Sequence, residues 1–234
     1  MRFLKEQASE SYLVGVLLAI AGGYLDVYTY VCRGGIFANA QTGNIVLLGI
    51  SVADRNWSKI GGYIYPILAF MAGILVAELV KRGFRNRAVI HWRQVVLVLE
   101  IAVLWTIAFI PSGVHDSAVN VAVSFVCSMQ VEGFRTFHGN STYATTMCTG
   151  NLRSATEQLF RYNVSRDKRA IRKSLEYYGI ILFFIAGAII GTLITRRFLE
   201  RSALVVCVLL LVVFTIMLLP AKNQQNEEKM RREG

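Results

Sequence analysis

Two acids and one doubled tripeptide are the residues whose types and spacing suit chemistry in this chain. Asp26 lies in "GGYLDVYTY" and Glu132 in "MQVEGFRTF", and each precedes a Thr-Gly-Asn triplet, at 42–44 and 149–151. A carboxylate in so apolar a run costs about 2.5–3.5 kcal/mol on the insertion scale unless it faces a partner or water. Solute or proton binding would use such a group. An internal ion pair with Arg135 or Arg153 would satisfy it instead. In the triplets, glycine permits close approach or unusual backbone angles, while threonine and asparagine cap helices or coordinate a polar guest. The candidate binding set is therefore Tyr24, Asp26, Asn39, Gln41, Thr42, Gly43 and Asn44 from the first half. The second half adds Gln130, Glu132, Arg135, Thr145, Thr149, Gly150, Asn151 and Arg153.

The elements that must position these residues are membrane helices. Of 234 residues, 54% are hydrophobic and only 17% charged, too apolar a balance for a soluble domain. Runs long enough to cross a ~30 Å hydrocarbon core recur near 12–31, 60–80, 94–110, 117–134, 176–195 and 203–220. The last is apolar on every face, unlike a barrel strand, so the fold class is all-α. The N-terminal run continues past the site where a leader would be cut and is expected to be a retained span.

The two halves match beyond the triplets. "LAFMAGILVAELVKR" (68–82) aligns with "LFFIAGAIIGTLITR" (182–196), with Phe70/Phe184 and Gly73/Gly187 among six identities. Loop charge then relates the halves. The stretch 54–59 holds two basic residues against six in its counterpart 161–174, whereas 81–93 holds five against three in 196–201. Opposite bias in corresponding loops predicts repeats inverted across the membrane. Each repeat then has three spans plus one re-entrant or broken helical segment, with both termini cytoplasmic. The boundaries are 1–110, 111–221 and a cytoplasmic tail at 222–234. Eight spans in parallel repeats are the alternative, and Arg196, Arg197 and Arg201 fit the inverted arrangement poorly.

Other signals are bland. The net charge of +10 follows from loop topology rather than from a nucleic-acid surface. Cys32, Cys127, Cys148 and Cys207 lack C-x-x-C spacing and the three histidines are dispersed, so neither a disulfide framework, a metal site nor a cofactor is signalled. No H-E-x-x-H, G-x-S-x-G or P-loop appears, and the chain is not expected to be an enzyme. Glu100 shares a helical face with Arg93, its expected partner, with a gating or proton-relay role as the alternative. Gly73-x-x-x-Ala77 and Gly187-x-x-x-Gly191 are packing motifs.

Together "GGYLDVYTY", "FANAQTGNIVLLG", "MQVEGFRTF" and "MCTGNLRSAT" resemble the YoaK family of bacterial inner-membrane proteins. The resemblance implies a multi-pass bacterial inner-membrane protein and supplies no substrate. The expected function is a small permease or channel for a small polar or charged solute, with a non-transporting interaction or sensor protein as the alternative. Expected partners are that solute and the lipid bilayer, with a homodimer open and no nucleic acid.

Overall fold

The computed structural model describes residues 11–84, 91–135 and 145–218. The tail at 222–234, one of the three histidines (His138) and the start of the polar segment before the second triplet lie outside these residues. Each of the six apolar runs contains a helix, and every element among the described residues is a helix. Helix α1 (Tyr12–Cys32) starts at Ser11, whose hydroxyl accepts the Val14 amide. Helix α2 (Gln41–Ala53) is too short to span a bilayer and turns through Arg55 into α3 (Trp57–Phe84). His91 and Gln94 form a reciprocal capping box for α4 (Trp92–Ile107). Helix α5 (Asp116–Gly133) follows. Then come α6 (Cys148–Ser165), the left-handed Arg166 and α7 (Lys168–Phe198), capped by the Asp167 carboxylate. A 3₁₀ turn over Leu199–Ser202 leads into α8 (Ala203–Leu218). Among the described residues, three stretches are long and apolar enough to cross a membrane: α1, α3, and the run Lys168–Leu218 that contains α7 and α8.

Packing follows a pattern that survives exchange of α1–α4 with α5–α8. Helix α1 lies along α7, and α3 along α5; α2 packs on α3, and α6 on α7. Helix α4 packs on α5, α8 on α1, and α4 on α8. The paired glycines of the sequence make the two long contacts possible. A Cβ on Gly187 would fall onto the Ile20 carbonyl and one on Gly73 onto the Phe125 carbonyl. These backbones therefore touch, as small-residue motifs allow.

Contacts also fix direction. Gly179 meets Tyr12, Gly187 meets Ile20 and Gly191 meets Tyr24, so α1 and α7 run parallel. Helix α5 runs against α1: at the end of α1 the buried Arg33 pairs with Asp116 at the start of α5, 3.2 Å away, and the Asn120 amide donates to the Arg33 carbonyl at 2.7 Å. Arg33 also donates to the Tyr28 hydroxyl and to the carbonyls of Ile107 and Ile110. This cation is fully satisfied and locks the ends of α1 and α4 together. Exposed apolar stripes, such as Leu68, Met71, Leu75 and Leu79 on α3, cover the outside.

Candidate functional site

Beyond Arg33 the chain does not leave α1. Gly34 and Gly35, at φ +87° and +81°, reverse it, and residues 36–40 descend beside the helix they have just left. The Asp26 carboxylate accepts the backbone amide of Asn39 at 2.6 Å and that of Ala40 at 3.3 Å. Deeper still, the Asn39 side chain donates to the Gly22 carbonyl at 3.3 Å. From Arg33 to Gly22 is eleven residues, so the loop returns about 16 Å along α1 before α2 begins. Gly22 lies at the midpoint of α1. This is a loop folded back along α1 and followed by a short helix, and Asp26 accepts two of its backbone amides.

The triplet holds the reversal in shape. Asn44 accepts from the Phe37 amide at 3.0 Å and donates to the Phe37 carbonyl at 2.8 Å and to Gln41 at 2.9 Å, acting as a side-chain substitute for a backbone pairing. Gly43 is required beneath the Phe37 ring, which a Cβ would meet at 2.8 Å. Thr42 is left exposed.

Thr42 faces a cavity of about 460 Å³ whose wall also contains Thr149 and Gly150 of the second triplet. The two triplets, 107 residues apart, thus share one space. The lining comes in repeat-matched pairs: Asn39 with Thr146, Ala40 with Met147, Gln41 with Cys148, Thr42 with Thr149, and Phe70 with Phe184. Asp26 and Gly23 complete it from α1. The Thr146 methyl sits where a Gly22 side chain would go, so both polar segments converge on the middle of α1. Helices α2 and α6 both begin at this cavity, and neither start has a side-chain cap. Their partial positive charge lies at its wall, although in α2 the Gln41 and Gly43 amides are already held by the Asn39 and Ala40 carbonyls. The Asn39 side-chain oxygen Oδ1, buried and without a protein partner, adds an acceptor.

The remaining sequence candidates are placed elsewhere. Tyr24 is buried against α7 at Gly191, its hydroxyl donating to the Ser202 carbonyl in the 3₁₀ turn at 2.9 Å. Thr145 and Asn151 are buried behind the wall. Arg135 and Arg153 are exposed, and neither pairs with Asp26, whose charge is met by loop amides instead. Glu132 is not held by an arginine salt bridge. It lies half-buried within hydrogen-bonding reach of Glu78 on α3, with Lys81 and Arg135 nearby. One turn on α5 is 3.6 residues, so the shift of one position between the two acid-to-triplet spacings rotates Glu132 by about 100° from the Asp26 direction. Glu100 takes the Gln130 amide rather than Arg93, at 3.0 and 3.1 Å to its two oxygens, while Arg93 donates to the Gly133 carbonyl at 2.7 Å.

Phe70, Phe184, Thr146, Met147 and Cys148 line the cavity and were not among the candidates. For the two phenylalanines a signal existed, because they are identical at matched positions of the repeat.

Residues 14–217 match the model of the DUF1275 family, described as a protein of unknown function. The UPF0700 transmembrane protein YoaK of Bacillus subtilis (strain 168) is 27% identical over 226 residues, covering 91% of this chain and 95% of that protein. No solved structure matches. The doubled triplet and the acid-bearing first span therefore carried a true family likeness, and this chain of apolar, membrane-length helices belongs to the DUF1275 family of membrane proteins, alongside YoaK.

Proposed function

We propose that this protein is a multi-pass permease of the bacterial inner membrane that moves a small polar or charged solute, without catalysing a reaction, through the cavity between the two Thr-Gly-Asn segments. The observation that carries the reading is the shared wall: Thr42 and Thr149, one from each half, face a single space reached by Asp26. Two short-helix starts supply amide donors, and Asn39 and Asp26 supply acceptors, which together suit a small solute with both kinds of group. Broken helices meeting between repeats are where secondary transporters bind their substrates.

The helix directions support inversion of the two repeats. Helix α1 opens the first half and α5 the second, and they run in opposite senses, as the loop charges require. A non-transporting interaction or sensor protein is the second reading, favoured by the use of Asp26 to hold its own loop.

Uptake into liposomes of a panel of labelled small anions, cations and neutral solutes tests the proposal. Saturable flux of at least one class is expected, lost when Thr42→Trp fills the cavity. If folded protein in sealed vesicles moves none of them, the sensor reading takes over.

A further inference from the structure

Glu100 plays no part in the cavity, yet its surroundings set it apart from every other acid among the described residues. It is 0% exposed, at the centre of the α4, α5 and α8 packing. Its hydrogen bonds come from one group, the Gln130 amide, which reaches both carboxyl oxygens. The other titratable groups around it are Cys127 on α5 and Cys207 on α8, both thiols. Arg93, on the same helix, is two turns away at the Gly133 carbonyl, and Glu78, Lys81 and Glu132 gather at the α3 and α5 ends near that level. No lysine or arginine among the described residues forms an ion pair with Glu100.

An uncompensated carboxylate in such a place costs several kcal/mol, and a structural acid would be retained with a cation beside it. A neutral amide serves differently. It donates to the carboxylate, and it remains a partner when one oxygen carries a proton, so both states can be occupied.

A polar route leads from Glu100 toward the cavity. The Cys127 thiol is fully buried, with the Asn39 side chain near it and both Glu100 and Asp26 within electrostatic range. Along the same face of α5, the Ser124 hydroxyl is buried with no protein partner, as is the side-chain oxygen Oδ1 of Asn39. Buried groups of this kind hold ordered water in protein interiors. Asp26 and Asn39 stand at the cavity wall.

We infer that Glu100 is a proton-binding site that couples solute movement to the proton gradient, exchanging its proton with the cavity through water held along Ser124, Cys127, Asn39 and Asp26. This rests on the permease reading. One proton is taken up by the carboxylate as solute loads and is returned on release, and no other reactant is needed.

Two measurements test it. Infrared difference spectra of the purified folded protein, taken between about pH 5 and about pH 9, are expected to contain a buried-carboxyl C=O band that Glu100→Gln removes and Glu100→Asp shifts. In liposomes, Glu100→Gln is expected to abolish accumulation driven by a pH gradient while keeping solute exchange at zero gradient. A difference spectrum unchanged by Glu100→Gln overturns the proton site. Wild-type accumulation retained in that variant overturns the coupling. Absence of any flux in the wild-type protein, with the Glu100 band present, overturns the permease reading and the coupling with it while the proton site stands.

Discussion

Asp26 and Asn39 are joined by a 2.6 Å hydrogen bond from the Asn39 backbone amide to the Asp26 carboxylate, and this bond anchors the returning loop to the helix it came from. Removing the carboxylate strands the amides of Asn39 and Ala40 beside α1. Asp26→Ala is expected to lower stability by about 1–3 kcal/mol, read as a lower thermal unfolding midpoint in detergent. Asp26→Asn keeps an oxygen acceptor, so its loss is expected to be less than half as large. Under the permease reading the same variant cuts solute flux per folded molecule by about tenfold, or about 1.4 kcal/mol. Unchanged flux would make Asp26 scaffold alone.

The glycines divide sharply by what lies opposite them. Gly187→Ala pushes a methyl onto the Ile20 carbonyl, and Gly73→Ala onto the Phe125 carbonyl and the Ser128 hydroxyl. Helix separation is the only relief, so each is expected to destabilise by about 1–3 kcal/mol. Gly150→Ala meets nothing within 4 Å and is expected to leave the unfolding midpoint unchanged. Equal midpoints for all three would show that the close α1–α7 and α3–α5 contacts do not support the fold.

How much of this was legible follows from what each signal encodes. Helix positions were readable because lipid imposes one long apolar run per span, and the packing glycines because the repeat doubled them. The meeting of the two triplets was inferable from the need to bury broken backbone. The partners of the acids were not. Asp26 is satisfied by peptide amides, which every residue carries and no sequence pattern marks. Glu100 passed over the arginine on its own face because Gln130, on another helix, points at it and Arg93 has the Gly133 carbonyl. Such choices depend on helix rotation, which apolar composition leaves undetermined.

Topology can be settled with single cysteines in a variant cleared of the native four. Inverted repeats with cytoplasmic termini place Ser165, at the end of α6, inside and Val114, between α4 and α5, outside. An impermeant thiol reagent is expected to label Val114→Cys in intact cells and Ser165→Cys after the inner face is opened. Labelling of Ser165→Cys from outside would restore eight spans.

Glu132 gives the final prediction, and its sign follows from its neighbours. An acid that neutralised a buried arginine would, when changed to glutamine, leave a stranded cation and a poorly folded protein. Here the neighbouring hydrogen-bonding group is another carboxyl, Glu78, which already pairs with Lys81 at 2.7 Å on the exposed end of α3. Removing one of two adjacent like charges relieves repulsion, while Arg135 is exposed and keeps its hydration. Glu132→Gln is therefore expected to fold with wild-type yield and a midpoint unchanged or slightly raised, within about 0.5 kcal/mol. Glu78→Gln is expected to behave alike, and the double variant to give no further gain, since one neutral partner already removes the repulsion. A loss of folded protein in Glu132→Gln alone would mean that Glu132 holds a cation after all and that the contact with Glu78 is incidental.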